Sequence, residues 1–145
     1  MRLSKRTEYG IRAVMQLARQ WPGNFMQSRE LSQLEGISTK FLESILLVLR
    51  RGGFLESKIG REGGYRLARA PRDIRVGDIV RGLEDRLTLK DGKPAQEVSP
   101  GEVAVHLLND RLTQATDDVL DRMSLEQLLD HVNRAAHLQQ QMYYI

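Results

Sequence analysis

The chain has 145 residues, 41% of them hydrophobic and 28% charged, which suits one compact core, is too polar for a membrane protein and is too apolar for wholesale disorder. No run approaches the roughly 18 apolar residues of a bilayer span, and Met1-Arg2-Leu3-Ser4-Lys5-Arg6 lacks the apolar stretch of a signal peptide, so a cytoplasmic address without membrane contact is expected. The absence of cysteine excludes disulfides, thiol catalysis, zinc knuckles and all-cysteine iron–sulfur sites. The net charge of +3 conceals an asymmetry. Residues 1–82 hold 16 Lys/Arg against 8 Asp/Glu, a balance of +8, whereas residues 83–145 hold 6 against 11, a balance of −5. Either charge merely drifts along the chain, or the front half meets a polyanion.

Val14, Leu17, Ala18 and Trp21 recur at helical spacing and predict a first amphipathic helix over residues 9–21, stopped by Trp21-Pro22-Gly23-Asn24. Ser28 is placed to cap a short second helix carrying Leu31 and Leu34, which Gly36 ends in the left-handed conformation. Ser38 then caps a third helix that buries Leu42, Ile45, Leu46 and Leu49 and closes at Gly52-Gly53. Short helix, tight turn and longer helix form the pattern of a helix-turn-helix, with Ile37 filling the space between its arms.

Phe54-Leu55-Glu56-Ser57-Lys58-Ile59 and Tyr65-Arg66-Leu67-Ala68 read as two strands of a hairpin around Gly60-Arg61-Glu62-Gly63-Gly64. Lys58, Arg61, Arg66 and Arg69 make the hairpin basic, and a basic hairpin after a helix-turn-helix is a wing. A fourth helix is expected over 76–83 with Ile79, Val80 and Leu83 inward, followed by a long loop over 84–101 whose turn signals are Asp91-Gly92-Lys93-Pro94 and Ser99-Pro100-Gly101. Val105, Leu108, Leu112, Ala115 and Val119 then recur at spacings of three and four, a candidate dimer seam. Ser124 caps a last helix with Leu125, Leu128, Leu129 and Val132 inward, and residues 139–145 trail off. The fold class is therefore mainly α with a small β-hairpin: a winged helix-turn-helix plus a long dimerisation helix.

Several phrases together resemble the Rrf-type winged-helix regulators, the family of IscR, NsrR and CymR. They are Met1-Arg2-Leu3-Ser4, Tyr9, Gly36-Ile37-Ser38 leading to Phe41-Leu42-Glu43, Leu49-Arg50-Arg51-Gly52-Gly53-Phe54, Gly63-Gly64-Tyr65-Arg66-Leu67-Ala68-Arg69 and Val76-Gly77-Asp78-Ile79-Val80. The likeness is close over residues 1–83 and looser over 103–130. It implies a bacterial homodimeric transcription factor, most often a repressor, with two recognition helices and two wings on a palindromic operator in double-stranded DNA. Residues 1–83 would be the DNA-binding domain, 84–101 a loop in the family's sensor region, and 102–145 the dimerisation helix and C-terminal helix.

Carried over position by position, the resemblance puts Ser38, Thr39, Lys40, Glu43 and Ser44 at the major groove. Hydroxyls and amides at a helix start bind phosphate or a base edge, Lys40 can neutralise a phosphate or reach guanine, and Glu43 can accept from a cytosine amino group. Ser38 can equally be a cap alone, and Lys40 and Glu43 a solvated face. Arg2, Lys5 and Arg6, expected to precede the first helix, would touch the DNA backbone. In the wing, cluster-binding relatives often carry an arginine where this chain has Ile59, which leaves Lys58 and Arg61 as candidates for the minor groove or for phosphate alone.

Cluster-sensing relatives also carry three cysteines that are missing here; Val103 occupies one such position, and His106 stands where a ligating histidine can sit. One imidazole cannot hold a cluster, and Glu97 and Glu102 do not replace thiolates, so no iron–sulfur cofactor and no metal site is expected. His106 is read as a polar residue at a helix start, and His131 and His137 as surface residues. Tyr9 and Trp21 are either ordinary core residues or linings of an effector pocket, and the effector, small molecule or partner protein, is unnamed. The competing class is a winged-helix module for protein contact, its acidic back half docking a partner. An enzyme has no support: no acid–base pair or nucleophile constellation is visible, and Gly60–Gly64 lacks the Lys-Ser/Thr that follows in a phosphate loop.

Overall fold

The computed structural model describes residues 2–84 and 99–143. Helix α1 runs Lys5–Arg19 and buries Thr7, Gly10, Ala13, Val14, Leu17 and Ala18. It begins four residues earlier than its apolar periodicity predicts, because Thr7 and Gly10 extend the buried stripe without counting as hydrophobic. Ser4 caps it, its Oγ accepting from the Thr7 amide at 3.2 Å. Lys5 and Arg6 are thus part of the first helical turn rather than of a preceding arm, which corrects the expectation. Trp21 lies past the helix and is exposed.

Helix α2 spans Ser28–Glu35 and α3 spans Thr39–Arg51. The N-cap of α2 is Gln27, not Ser28, and Gln27 makes no side-chain cap; the Ser28 hydroxyl instead donates to Glu43 Oε1 at 3.2 Å. Leu31 is fully buried whereas Leu34 is exposed, so a helix of two turns presents only its Leu31 edge to the core. Gly36, at φ 64° and ψ 35°, closes α2 in the left-handed region that favours glycine. Ser38 then caps α3, accepting from the Phe41 amide at 3.2 Å. Ile37 is buried between the two helices, and Leu42, Ile45, Leu46 and Leu49 are all fully buried at the centre of the core.

Strands β1, Leu55–Lys58, and β2, Gly64–Leu67, pair antiparallel with Leu55 opposite Leu67, Glu56 opposite Arg66, Ser57 opposite Tyr65 and Lys58 opposite Gly64. Met26 adds a single rung to the outer edge of β2, exchanging two 2.8 Å backbone hydrogen bonds with Tyr65. This brings the segment before α2 against the wing. Gly64 makes the approach possible: its φ is 132°, and a Cβ there would strike the Met26 carbonyl and lie 2.7 Å from the Gln27 nitrogen.

A 3-10 turn over Pro71–Asp73 leads to α4, Val76–Leu83, which buries Val76, Gly77, Ile79, Val80 and Leu83. Helix α5 spans Pro100–Asp121 and α6 spans Leu125–Tyr143. Most of the loop expected over 84–101, with Glu97, lies outside the described residues. Its last residues differ from expectation: Ser99 and Glu102 form a reciprocal capping box, with Pro100 in the first turn, so Ser99-Pro100-Gly101 starts a helix rather than making a turn. Ser124 and Gln127 cap α6 in the same reciprocal way. Backbone bonds from Val76 to Met123 (2.9 Å) and from Leu125 to Ile74 (2.8 Å) tie the α5–α6 junction to the segment before α4, and Leu125 is fully buried. Leu128 and Leu129 are half-buried, but Val132 is exposed, because α6 leaves the core after its first turns; it continues as helix to Tyr143 instead of trailing off after 138.

Candidate nucleic-acid interface

Residues 27 and 28 join α3 to the wing. Ser28 reaches Glu43 on α3, and Gln27 Nε2 donates to the Arg61 carbonyl in the wing loop at 2.9 Å. A third tie runs from Arg50 Nη1 at the end of α3 to Ser57 Oγ on β1 at 3.2 Å. Helix and hairpin are therefore held in one arrangement by polar contacts from three segments distant in sequence. Within the wing, Arg66 pairs with Glu56 across the strands and lays its guanidinium 4.2 Å from the centroid of the Phe25 ring. Arg66 is thus committed to holding the hairpin, while Lys58 and Arg61 are exposed and make no ion pair among the described residues.

On α3, Ser38, Lys40, Glu43 and Ser44 are exposed and Thr39 is half-buried. Thr39 is turned inward: its hydroxyl donates to Ser32 Oγ at 2.9 Å, and Ser32 in turn donates to the Ile37 carbonyl, which locks the turn. The Ser44 hydroxyl is bonded to the Phe41 carbonyl at 2.6 Å. Lys40 is left as the exposed cation of the first turn.

The second turn of α1 meets the first turn of α3. Tyr9 meets Phe41 edge to face at 5.6 Å, and Lys5 Nζ sits 5.9 Å from the Tyr9 ring centroid. Tyr9 is therefore a packing residue that props α3. A cleft of about 420 Å³ is lined by Asn24, Phe25, Lys58, Glu62 and Arg66, and neither Tyr9 nor Trp21 lines it. Arg12 also serves the scaffold, its guanidinium reaching the Glu35 carbonyl and carboxylate at the end of α2. Phe41, 39% exposed next to Lys40, is a surface aromatic that periodicity missed. Its place one turn before Ile45, at the margin of the apolar stripe, was the available signal.

Helix α5 buries no residue, and every position from 99 to 115 is exposed. Val105, Leu108, Leu112, Ala115 and Val119 all face away from the chain's own core. The C-terminal part of α5 is anchored by Arg81 of α4, which bridges Asp121 at 2.7 Å, Asp117 at 3.0 Å and Asp78 at 3.6 Å. Hydrogen bonding to Asp121 and then Asp117 raises the guanidinium above its ordinary range. Gly77 permits this close crossing, since a Cβ there would come within 2.9 Å of both Arg81 Nη1 and Asp121 Oδ1.

A capped helix-turn-helix with a basic wing braced against α3 defines a winged-helix fold, beside which α5 lies exposed. Residues 3–131 match the Rrf2 family, described as an iron-dependent transcriptional regulator, and the chain belongs to that family. It is 39% identical over 85 residues to the protein rrf2 of Nitratidesulfovibrio vulgaris, a match spanning 59% of this chain but only 57% of that relative. It is 32% identical to NsrR of Bacillus subtilis, across 89% of this chain and 90% of that one. Among solved structures, T. potens IscR superposes with a TM-score of 0.79 at 31% identity, covering 99% of this chain and 97% of that one. The family is described as one of transcriptional regulators.

The iron dependence in the family's description does not fit these residues. The chain has no cysteine, and no group of three or more His, Asp or Glu that could hold a metal comes together among the described residues. His106 is exposed on α5, and without thiolate neighbours it cannot supply a cluster's ligand set. Among the described residues no helix is long and apolar enough to cross a membrane.

Proposed function

We propose that the protein is a homodimeric, sequence-specific repressor that works in the bacterial cytoplasm and reads a palindromic operator, with residues 38–51 in the major groove and the wing, 58–66, at the minor groove. The observation that carries this reading is the stitching of α3 to the wing through Gln27, Ser28 and Arg50, with Lys40, Lys58 and Arg61 left exposed. In this arrangement Lys40, Lys58 and Arg61, with Arg2, Lys5 and Arg6 at the start of the chain, meet phosphates and set the register. Ser38, Glu43 and Ser44 lie closest to base edges, Glu43 steadied by Ser28, while Thr39, its hydroxyl committed to Ser32, locks the turn behind them. Ser38 caps its helix and presents that helix's N-terminal amides to the DNA together.

A second copy covers α5. A 22-residue helix is about 33 Å long, and one that buries nothing against its own chain while exposing Val105, Leu108, Leu112, Ala115 and Val119 needs an apolar partner. Two-fold pairing along α5 places two reading heads on two half-sites. Residues 1–83 then form the DNA-binding domain, 84–101 the sensor-region loop and 102–145 the dimerisation unit. A signal at the loop or α5 acts by binding one wing separation better than the other.

Selection of duplexes from a random library, with the native mass measured on the same preparation, tests the reading. The expected result is a dimer that enriches an inverted repeat with half-sites about one helical turn, roughly 10 base pairs, apart. A monomer, or a library that stays unenriched, contradicts it.

A further inference from the structure

The wing tip carries a side chain that does nothing for the fold. Ile59 is 100% exposed, whereas the other large exposed apolar side chains among the described residues retain some cover. It is flanked by the exposed cations Lys58 and Arg61. Its position is nevertheless fixed. The Gly63 amide closes the tip on the Gly60 carbonyl at 3.0 Å, Gln27 holds the Arg61 carbonyl from α2, and Gly63 is packed so closely on the Lys58 carbonyl that a Cβ would collide with it. A β-branched apolar residue displayed at the apex of a braced, basic turn is matched to one kind of surface, a polyanion with an apolar crevice between its charges.

We propose that Ile59 is a specificity-determining minor-groove wedge, pressed against or between base pairs while Lys58 and Arg61 engage the flanking phosphates. The proposal rests on the DNA-binding reading and adds a residue, a contact chemistry and a sequence preference to it. Apolar wedges unstack a base step and kink the duplex, and the steps that unstack most readily are the pyrimidine–purine steps TA and CA/TG. The operator positions beneath each wing should therefore favour those steps although no hydrogen bond reads them.

The test compares wild type with Ile59→Ala, Ile59→Met and Arg61→Ala on the selected operator, measuring affinity from 50 to 200 mM salt and duplex bending by end-to-end energy transfer. Ile59→Ala is expected to lose about tenfold in affinity, from the apolar area no longer buried, and to straighten the duplex. Its salt slope should be unchanged, because no phosphate contact is lost. Ile59→Met should keep most of the affinity and the bend. Arg61→Ala should instead flatten the salt slope by about one unit per wing. Repeated selection with Ile59→Ala should lose the preference for TA and CA/TG steps beneath the wing. Ile59 is fully exposed, so the variants should melt with the wild type, which separates a binding defect from a folding one. Binding and bending by Ile59→Ala within twofold of wild type, or a loss accompanied by a flatter salt slope, overturns the wedge. Failure of the wild type to bind any duplex overturns the DNA-binding reading itself.

Discussion

Arg81 ties α4 to α5 through Asp117 and Asp121, and Arg81→Met removes its charge while keeping much of its stem. The guanidinium contacts carboxylates at 2.7, 3.0 and 3.6 Å, but Arg81 is about one-third exposed and its partners about half. Solvent screening therefore keeps each contact in the surface range of about 0.2 to 1 kcal/mol. Shared among three partners, the expected loss is about 1 kcal/mol, which in a chain of this size lowers Tm by roughly 2–4 °C. The guanidinium is charged at every working pH, its pKa being raised by Asp121 and Asp117, so salt rather than pH is the lever. Thermal melts at about 20 mM and about 0.5 M salt, at one protein concentration, should show the deficit shrinking by half or more as the screening length falls to a few ångströms. A cycle with Asp121→Asn should recover the pairwise coupling. A deficit equal at both salts, or none at low salt, refutes the electrostatic account of the α4–α5 joint.

Three further outcomes follow from the geometry. Gly64→Ala drives a methyl into the Met26 carbonyl at a backbone φ of 132°; it should cost about 2 kcal/mol and speed hydrogen exchange at the Met26 and Tyr65 amides. Leu108→Asp with Leu112→Asp charges the exposed seam of α5 and should yield a folded monomer by native mass, with operator affinity greatly reduced; an intact dimer would move the interface elsewhere. Lys40→Ala removes the exposed cation of the first turn of α3 and should weaken all duplex sequences alike, lowering the salt slope by about one unit per protomer. If instead one base position relaxes at a cost of about 1–3 kcal/mol, Lys40 reads a base.

What the sequence discloses and what it hides divide along physical lines. The helix-turn-helix is legible because its signals are local: Gly36 in the left-handed region, Ser38 as a cap, and Leu42, Ile45, Leu46 and Leu49 at helical spacing all lie within one short stretch of chain. Helix α4 is legible for the same reason. The start of α1 is not, since its buried stripe runs on through Thr7 and Gly10, one polar and one without a side chain. The capping box at Ser99 is hidden by Pro100 and Gly101, which read as a turn although Glu102 three residues on is the partner that makes them a helix start.

The candidate site divides likewise. Exposure of Lys40, Lys58 and Arg61 follows from pattern alone, but the roles of Gln27, Ser28 and Arg50 depend on tertiary contacts between segments 7 to 34 residues apart. Thr39 shares its neighbours' composition, yet its hydroxyl is committed to Ser32, a partner that only the fold supplies. The exposed Val132 shows the converse, an apolar position that looks inward on a helical wheel after its helix has left the core.

The central claim, that a braced helix and wing clamp DNA through several cations, is tested most directly by titrating the selected operator from 50 to 200 mM salt. Six to ten phosphate contacts per dimer predict that affinity falls by about 10³ to 10⁵ across that range. An affinity that stays within a few-fold would contradict it.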